Sequence, residues 1–553
     1  MLLALLALLP ILVVGVLMLG LNWPSKKAMP VAFIITAVLA FDFWDMPLQW
    51  LSAAAICGAI NTVDILFIIY GALLILRLMR KGGGVSGIAQ SMARVSTDRR
   101  IQVIVIGYLM GAFFEGAAGF GTPAAVAAPL LVGMGFPPLV AAIVALVGNS
   151  APVVFGAVGT PVIGGFANLK TLTEAAGYTG DFYSFLTGVG GFATLAQFIG
   201  ATLIPMAMVC SMTKVVEGSF KKGFEAFPAA IFGGLLFVIP QTIIANFVGP
   251  ELASLMGALV AIPIFVLTVS RGLLVPKTPW EFPEDQQLPH AGGAQIQKAK
   301  GGAAVAEKTV SAALAWAPYG IIGVLLLLGR LQWIGITPLL KRWSIGWSGI
   351  LGTTISRSIT PLYNPGIIPF MLVALLIPLL HKIDAKEAAK AWLETISEIK
   401  SAAIALLFAL GMTYIMMYSG DAVGADSMLL TMAKAAASAA GSAWYLVAPL
   451  VGMLGSFISG SATVSDIMFG GLQLSAAQQV GLPITAILAL QVIGAAAGNM
   501  ICVHNVVAAL TTVGLTGKEG AVIRNNLKLC IPYCLLAGVC AIVIVTFFMP
   551  NLF

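Results

Sequence analysis

"GAFFEGAAGFGTPAA", residues 111–125, lies in an otherwise apolar run yet carries one carboxylate, four glycines and a Thr-Pro pair. A plain membrane-spanning helix has use for none of these. Gly116, Gly119 and Gly121 permit positive φ and close backbone approach. Thr122 is a natural N-cap, and Pro123 suits a first helical position. The stretch therefore reads as a helix that stops and restarts. The restarted half presents free N–H groups and its positive dipole end to the membrane interior, which is a ready-made anion site. Irregular backbone at that depth is tolerated only where it is buried in protein or lines a water-filled cavity.

The membrane setting follows from composition. The chain has 553 residues, of which 59% are hydrophobic and only 9% charged. Its mean hydropathy is +1.00. A soluble domain carries about a quarter of its residues as charges. The net charge of +7 does not indicate nucleic acid, because no dense basic patch with interleaved aromatics is present. The six cysteines form no CxxC pair, and Cys57, Cys210, Cys530, Cys534 and Cys540 read as small packing residues in or beside apolar segments. Residues 1–23 lack a basic leader and a small-residue cleavage site, so they read as a first transmembrane helix. Apolar spans at 2–21, 30–44, 60–79, 185–210, 226–247, 252–270, 311–329, 365–380, 401–418 and 527–550, with the glycine-rich stretches, predict an all-α polytopic membrane protein of about 12–14 transmembrane segments. A polar Pro/Gly/Gln-rich segment, 270–310, divides a first half, 1–269, from a second, 311–553, and reads as a cytoplasmic linker.

The opening stretch has a partner. "GSFISGSATVSDIMF" starts at Gly455 and repeats the pattern Gly, small, Phe, two residues, Gly, small-polar cluster. Downstream of each comes Gly-x-Pro, an apolar helix and Gly-Asn: "GFPPLVAAIVALVGN" at 135–149 and "GLPITAILALQVIGAAAGN" at 481–499. Two broken regions, about 101–165 and 443–512, thus read as an internal repeat. The first follows a basic loop holding Arg77, Arg80, Lys81, Arg94, Arg99 and Arg100, and leads to a loop where Lys170 faces Glu174 and Asp181. The second follows the uncharged "AAASAAGSAW" and leads to Lys518, Arg524 and Lys528. Because Lys and Arg mark cytoplasmic faces, the copies run in opposite directions. Inverted-topology repeats of this kind are built into many secondary transporters.

Candidate binding positions follow from the breaks: Gly119, Phe120, Gly121 and Thr122; Asn149, Ser150, Gly159 and Thr160, where Gly-Thr-Pro recurs; and Ser461, Thr463, Ser465, Asn499 and Asn505 in the second copy. Small residues also let helices pack closely, and Ser or Thr can bond back to their own helix. Ionisable groups inside a membrane are costly and rare. Glu115, Asp466, His504 and Asp64 are therefore candidates for a coupling proton, since a desolvated carboxyl group can exchange protons near neutral pH. Arg357, in "TISRSITPLYNPG", is a candidate anion contact, because arginine pairs carboxylates bidentately; it could equally snorkel to headgroups. Asp42 and Asp45 read as the water-facing end of a span. No metal site, cofactor or catalytic constellation is legible.

Residues 111–142, with "NSAPVVFGAVGTPV" at 149–162, "YSG" at 418–420 and "GLTGKE" at 514–519, closely resemble the bacterial L-lactate/glycolate permease family, and the resemblance covers most of the chain. It implies uptake of small 2-hydroxymonocarboxylates, such as L-lactate, D-lactate and glycolate, together with a proton, across the bacterial inner membrane. By similarity to the wider ion-transporter superfamily, it also implies a scaffold paired with a mobile domain of re-entrant hairpins and an elevator-like movement. The second half departs from the family pattern: polar stretches like "GSDTSSN" and "GKMISPQS" are replaced by "GSATVSD" at 460–466 and "GNMICVHN" at 498–505.

The expected partners are a monocarboxylate, protons and the lipid bilayer, with a homo-oligomer left open. A 2-hydroxy acid suits such a site, since its carboxylate can meet half-helix N-termini and its hydroxyl Thr, Ser or Asn. Taking a proton along makes the moved complex neutral, which lowers the cost of crossing a low-dielectric barrier. Sodium coupling is the rival within this class. A membrane subunit of a respiratory enzyme is the rival from another class, but it needs paired histidines or ligating cysteines, and of His290, His381 and His504 only the last lies deep. An ion channel fits paired, oppositely directed breaks less well.

Overall fold

The computed structural model describes residues 2–553 except Asn22, Arg94, Phe120, Gly121, 284–309, 331–334, Pro365, Thr516 and Gly517, and it leaves out the side chains of Thr122 and His504 among others. Most of the expected linker therefore lies outside the described residues, as do the site candidates Phe120 and Gly121. Among the described residues, eight helices are long and apolar enough to cross a bilayer, or nine if the bent pair Ala385–Lys400 and Ala402–Tyr418 is one span. Other apolar helices, such as Pro138–Gly148 and Ile484–Gly498, are too short to cross about 30 Å of hydrocarbon alone. Counting apolar runs in the sequence therefore gives a larger number. Two short antiparallel strands, Ile345–Trp347 and Arg357–Ile359, pair with Trp347 opposite Arg357.

Three long helices, Ser25–Phe43, Leu48–Lys81 and Ala385–Tyr418, form one bundle. An ion pair closes one end, where Lys81 Nζ lies 2.9 Å from Glu387 Oε2, and at the other end a hydrogen bond from Trp44 Nε1 to the Asp426 carbonyl (3.0 Å) ties the bundle to the segment after Tyr418. The helices touch backbone to backbone, since a Cβ on Gly58 would stand 2.7 Å from the Gly411 nitrogen. Without an oil–water driving force inside the membrane, such close packing is what holds helices together.

The two broken regions have the same order of elements. In the first, Arg99–Ala118 stops at Gly119, Thr122–Gly133 returns, Pro138–Gly148 breaks before Gly156–Ile163, and the long helix Phe182–Glu217 follows. In the second, Trp444–Ser459 stops at Gly460, Ala462–Val480 returns, Ile484–Gly498 breaks before Val503–Thr512, and Glu519–Phe547 follows. Each opening pair is a hairpin whose ends meet. Arg99 Nη1 donates to the Met134 carbonyl at 2.7 Å, and Trp444 Nε1 to Gln473 Oε1 at 2.8 Å. Both turns use glycine in conformations other residues resist: Gly119 has φ 59°, ψ −149° and Gly460 has φ 80°, ψ 9°.

An ionic clamp closes the open end of the first hairpin. Arg100 is fully buried and uses all five of its N–H donors, on Asp98, Glu225 and the carbonyls of Lys222 and Thr278. The hydrogen bond from Arg100 holds the Glu225 carboxyl below its ordinary range. Its stabilisation is therefore complete above the unfolded value of about 4.3 and is lost as pH falls through the lower folded value. Thermal unfolding in detergent should show a loss of midpoint below about pH 4 that is smaller in Glu225→Gln. In the bundle, Gly58→Ala should lower the midpoint by about 1–3 kcal/mol of overpacking. Gly188→Ala, where a Cβ meets nothing within 4 Å, should leave it unchanged or raise it.

Candidate functional site

The tips of the two hairpins and the two later breaks converge on one small cavity. It has a volume of about 40 Å³ and is lined by Glu115 and Gly119 of the first tip, Gly156, Ala157, Thr160 and Pro161 of the neighbouring break, Gly460, Ser461 and Thr463 of the second tip, and Asn499 with Asn505. Such a volume holds a few waters. The tips touch because the helices behind them are built to approach. The returning helix Ala462–Val480 packs on the 156–165 segment, where a Cβ on Gly165 would stand 2.7 Å from Asp466 Cβ.

Glu115 is 3% exposed and makes no ion pair among the described residues. Asn149 interacts with its carboxyl group, and Glu115 Oε2 and Asn149 Oδ1 have no protein partner. Gly156 makes room for the acid: a Cβ there would sit 2.1 Å from Glu115 Oε1. The chain then runs through three successive left-handed residues, Ala157 (φ 43°), Val158 (φ 59°) and Gly159 (φ 74°). A β-branched residue in that region is a true outlier, worth about 1–3 kcal/mol of strain that the surrounding packing must hold. This turn aims Thr160 and Pro161 at the cavity.

On the facing side, Ser461 caps the returning helix by accepting from the Val464 amide at 3.4 Å. Asn505 Nδ2 donates to Asn499 Oδ1 at 3.0 Å. The cavity thus brings together an acid, the start of the Ala462–Val480 helix and a ring of Thr, Ser and Asn groups. The helix start offers free N–H groups and the ring offers hydroxyl and amide groups, a donor set that suits an anion.

Of the sequence candidates, Glu115, Gly119, Thr160, Ser461, Thr463, Asn499 and Asn505 line the cavity. Asn149 stands behind Glu115, and Gly159 forms the turn. Ser150 bonds back to the Val147 carbonyl. Ser465 and Asp466 lie in a buried network off the cavity: Gln491 Nε2 donates to Ser465 Oγ (3.1 Å) and Asp466 Oδ1 (3.2 Å), and Gln473 Nε2 donates to Gln491 Oε1 (2.8 Å). Asp64 accepts from Asn364 at 2.8 Å, away from the cavity. Arg357 lies in the wall between two larger chambers. Sequence reasoning missed Gly156, Ala157 and the Gln473–Gln491 pair; the last had a signal, two amides inside apolar stretches.

The fold is that of a multi-pass membrane protein, and the permease family that the chain matches makes it an inner-membrane transporter. The L-lactate permease family model matches residues 3–548, and the chain belongs to that family. It is 28% identical to the L-lactate permease of Bacillus subtilis over 89% of this chain and 87% of that one. It is 28% identical to the glycolate permease GlcA of Escherichia coli over 95% of this chain and 92% of that one. The Alcanivorax borkumensis YdaH transporter is similar at 13% identity and a TM-score of 0.48, covering 94% of this chain and 99% of that one.

If Gly156 makes room for Glu115, Gly156→Ala should destabilise the purified protein by about 1–3 kcal/mol. In a Glu115→Ala background the same change should be nearly neutral, because the opposing carboxyl is gone. Thermal unfolding of the four proteins closes that cycle.

Proposed function

We propose that this permease imports 2-hydroxymonocarboxylates, namely L-lactate and also D-lactate or glycolate, by proton symport with alternating access. The observation that carries this reading is the meeting of both hairpin tips at a cavity with a buried carboxyl group that makes no ion pair among the described residues. The substrate carboxylate would face the starts of the helices Thr122–Gly133 and Ala462–Val480, while Thr160, Thr463, Asn499 and Asn505 would take its hydroxyl. Glu115 is the best placed of the four ionisable candidates, as the one described ionisable side chain lining the cavity. An unpaired carboxylate in low dielectric is costly, and a proton taken up together with the anion removes that cost.

Two further points support the reading. The broken regions share one order of elements, as inverted repeats do. The cavity is also far smaller than the 300 Å³ or more of ordinary ligand pockets, so it must widen to admit substrate. Movement of the hairpins against the bundle 25–43, 48–81 and 385–418 would supply that widening on alternate sides.

The test is uptake of labelled L-lactate and glycolate into liposomes under separately imposed proton and sodium gradients. Accumulation should follow the proton gradient; accumulation driven by sodium at constant pH overturns proton coupling, and no uptake of either acid overturns the substrate assignment. Glu115→Gln should lose proton-driven accumulation and keep lactate–lactate exchange.

A further inference from the structure

A second chamber lies outside the central cavity and shares no lining residue with it. It measures about 460 Å³ and is lined by the Ile345–Trp347 and Arg357–Ile359 strands, the helices Leu48–Lys81 and Ala385–Tyr418, and the short helical turns Ala167–Leu169 and Lys170–Ala175. That volume falls within the range of small-molecule sites. It lies on the side of the bundle away from the basic end at Arg77 and Lys81, which is the outer side by the positive-inside rule.

The chamber's chemistry is one-sided. Lys170 and Arg357 line it, among the described residues no Asp or Glu does, and hydroxyls come from Thr171, Ser356, Ser358, Tyr414 and Tyr418 among others. Asp64, Asp181 and Glu251 line the neighbouring chamber, which shares Lys170, Arg357 and Ser358 with this one, and the exposed Glu174 stands 3.8 Å from Lys170 Nζ. Arg357 is held in place without a carboxylate: Nη1 donates to the Ala167 carbonyl at 2.9 Å and Nη2 to Asn61 Oδ1. Its Nε has no protein partner. Asn168, 2% exposed and lining the chamber, has neither amide atom partnered; Asn61 Nδ2 is also unpartnered. Buried polar groups are rarely left so, and two of the residues concerned, Arg357 and Asn168, line this chamber, which marks a place built for a polar ligand. Thr171 and Tyr418 share a hydrogen bond of 3.3 Å, which joins the "YSG" segment to the same wall.

We infer that this chamber is an outer binding site for the transported 2-hydroxymonocarboxylate, with Arg357 and Lys170 holding the carboxylate and Asn168 with the neighbouring hydroxyls holding the 2-hydroxyl. It rests on the substrate reading above and adds a loading step before the central cavity. One segment connects the two sites: Thr160 and Pro161 line the central cavity, the Ala167 carbonyl anchors Arg357, and Asn168 lines the chamber.

The test titrates L-lactate into the detergent-solubilised full chain by calorimetry and measures initial uptake rates in liposomes. Arg357→Gln should weaken lactate binding and raise KM by about ten-fold or more, the loss of a charge-assisted hydrogen bond, and Asn168→Ala by a few-fold, the loss of a neutral one, with the limiting rate within about two-fold of wild type in both. Lys170→Gln, whose parent side chain is mostly exposed and safe to change, should raise KM by a few-fold, about the worth of one exposed charge contact. Arg357→Lys should recover part of the affinity. Wild-type affinity and KM in all three of Arg357→Gln, Asn168→Ala and Lys170→Gln overturn the chamber. Absence of lactate uptake by the wild type overturns the transport reading instead; calorimetry then decides the chamber alone, and no heat of lactate binding to the wild type overturns it too.

Discussion

Inside a membrane every backbone N–H and C=O must find a partner within the protein. Among the described residues, this permease interrupts helices of its two broken regions after Ala118, Gly148, Ser459 and Gly498. Each interruption is tolerable because the others surround it. The 156–165 segment packs against Ala462–Val480, Gly119 lies against Ala157, and Asn505 holds Asn499. The central cavity is a by-product of that mutual cover: breaks that shield each other leave polar groups facing one shared space.

The same constraint accounts for the strain at Ala157 and Val158. A left-handed turn with glycine only at its third position, Gly159, is unfavourable alone, yet it lets Gly156 close on Glu115 and aims Thr160 at the cavity. Packing at fully buried Val158 offsets what the backbone loses. Strain of this kind gathers where geometry matters to function, and here it lies beside the one described acid that lines the cavity.

The two groups of helices are held by different means. The bundle of 25–43, 48–81 and 385–418 is joined by glycine crossings within the membrane and by Arg77 and Lys81 reaching Glu387, Glu394 and Glu398 at its basic end. The hairpin region is joined by buried amide networks such as Gln473–Gln491 and by the Arg100 clamp. Between them stands Arg357, reaching Asn61 of the bundle and Ala167 of the broken region, so the outer chamber spans the seam between the two groups.

The sequence by itself determined the membrane class, the family and the places where helices break, because hydropathy, glycine and Thr-Pro act locally and leave a local record. It also marked Glu115, Gly119, Thr160, Ser461, Thr463, Asn499 and Asn505, since polar or helix-breaking residues stand out in an apolar run. Only the tertiary structure decided which of these face one another. Asp466 looks equivalent to Glu115 along the chain, but a partner glutamine twenty-five residues on turns it into a buried network. Gly156 looks like any small residue until Glu115 is set against it. Arg357 reads as a cavity residue from its chemistry, and the fold sets it in an outer wall. Facing is a property of crossing angles and close packing between distant segments, and no local signal in the chain encodes it.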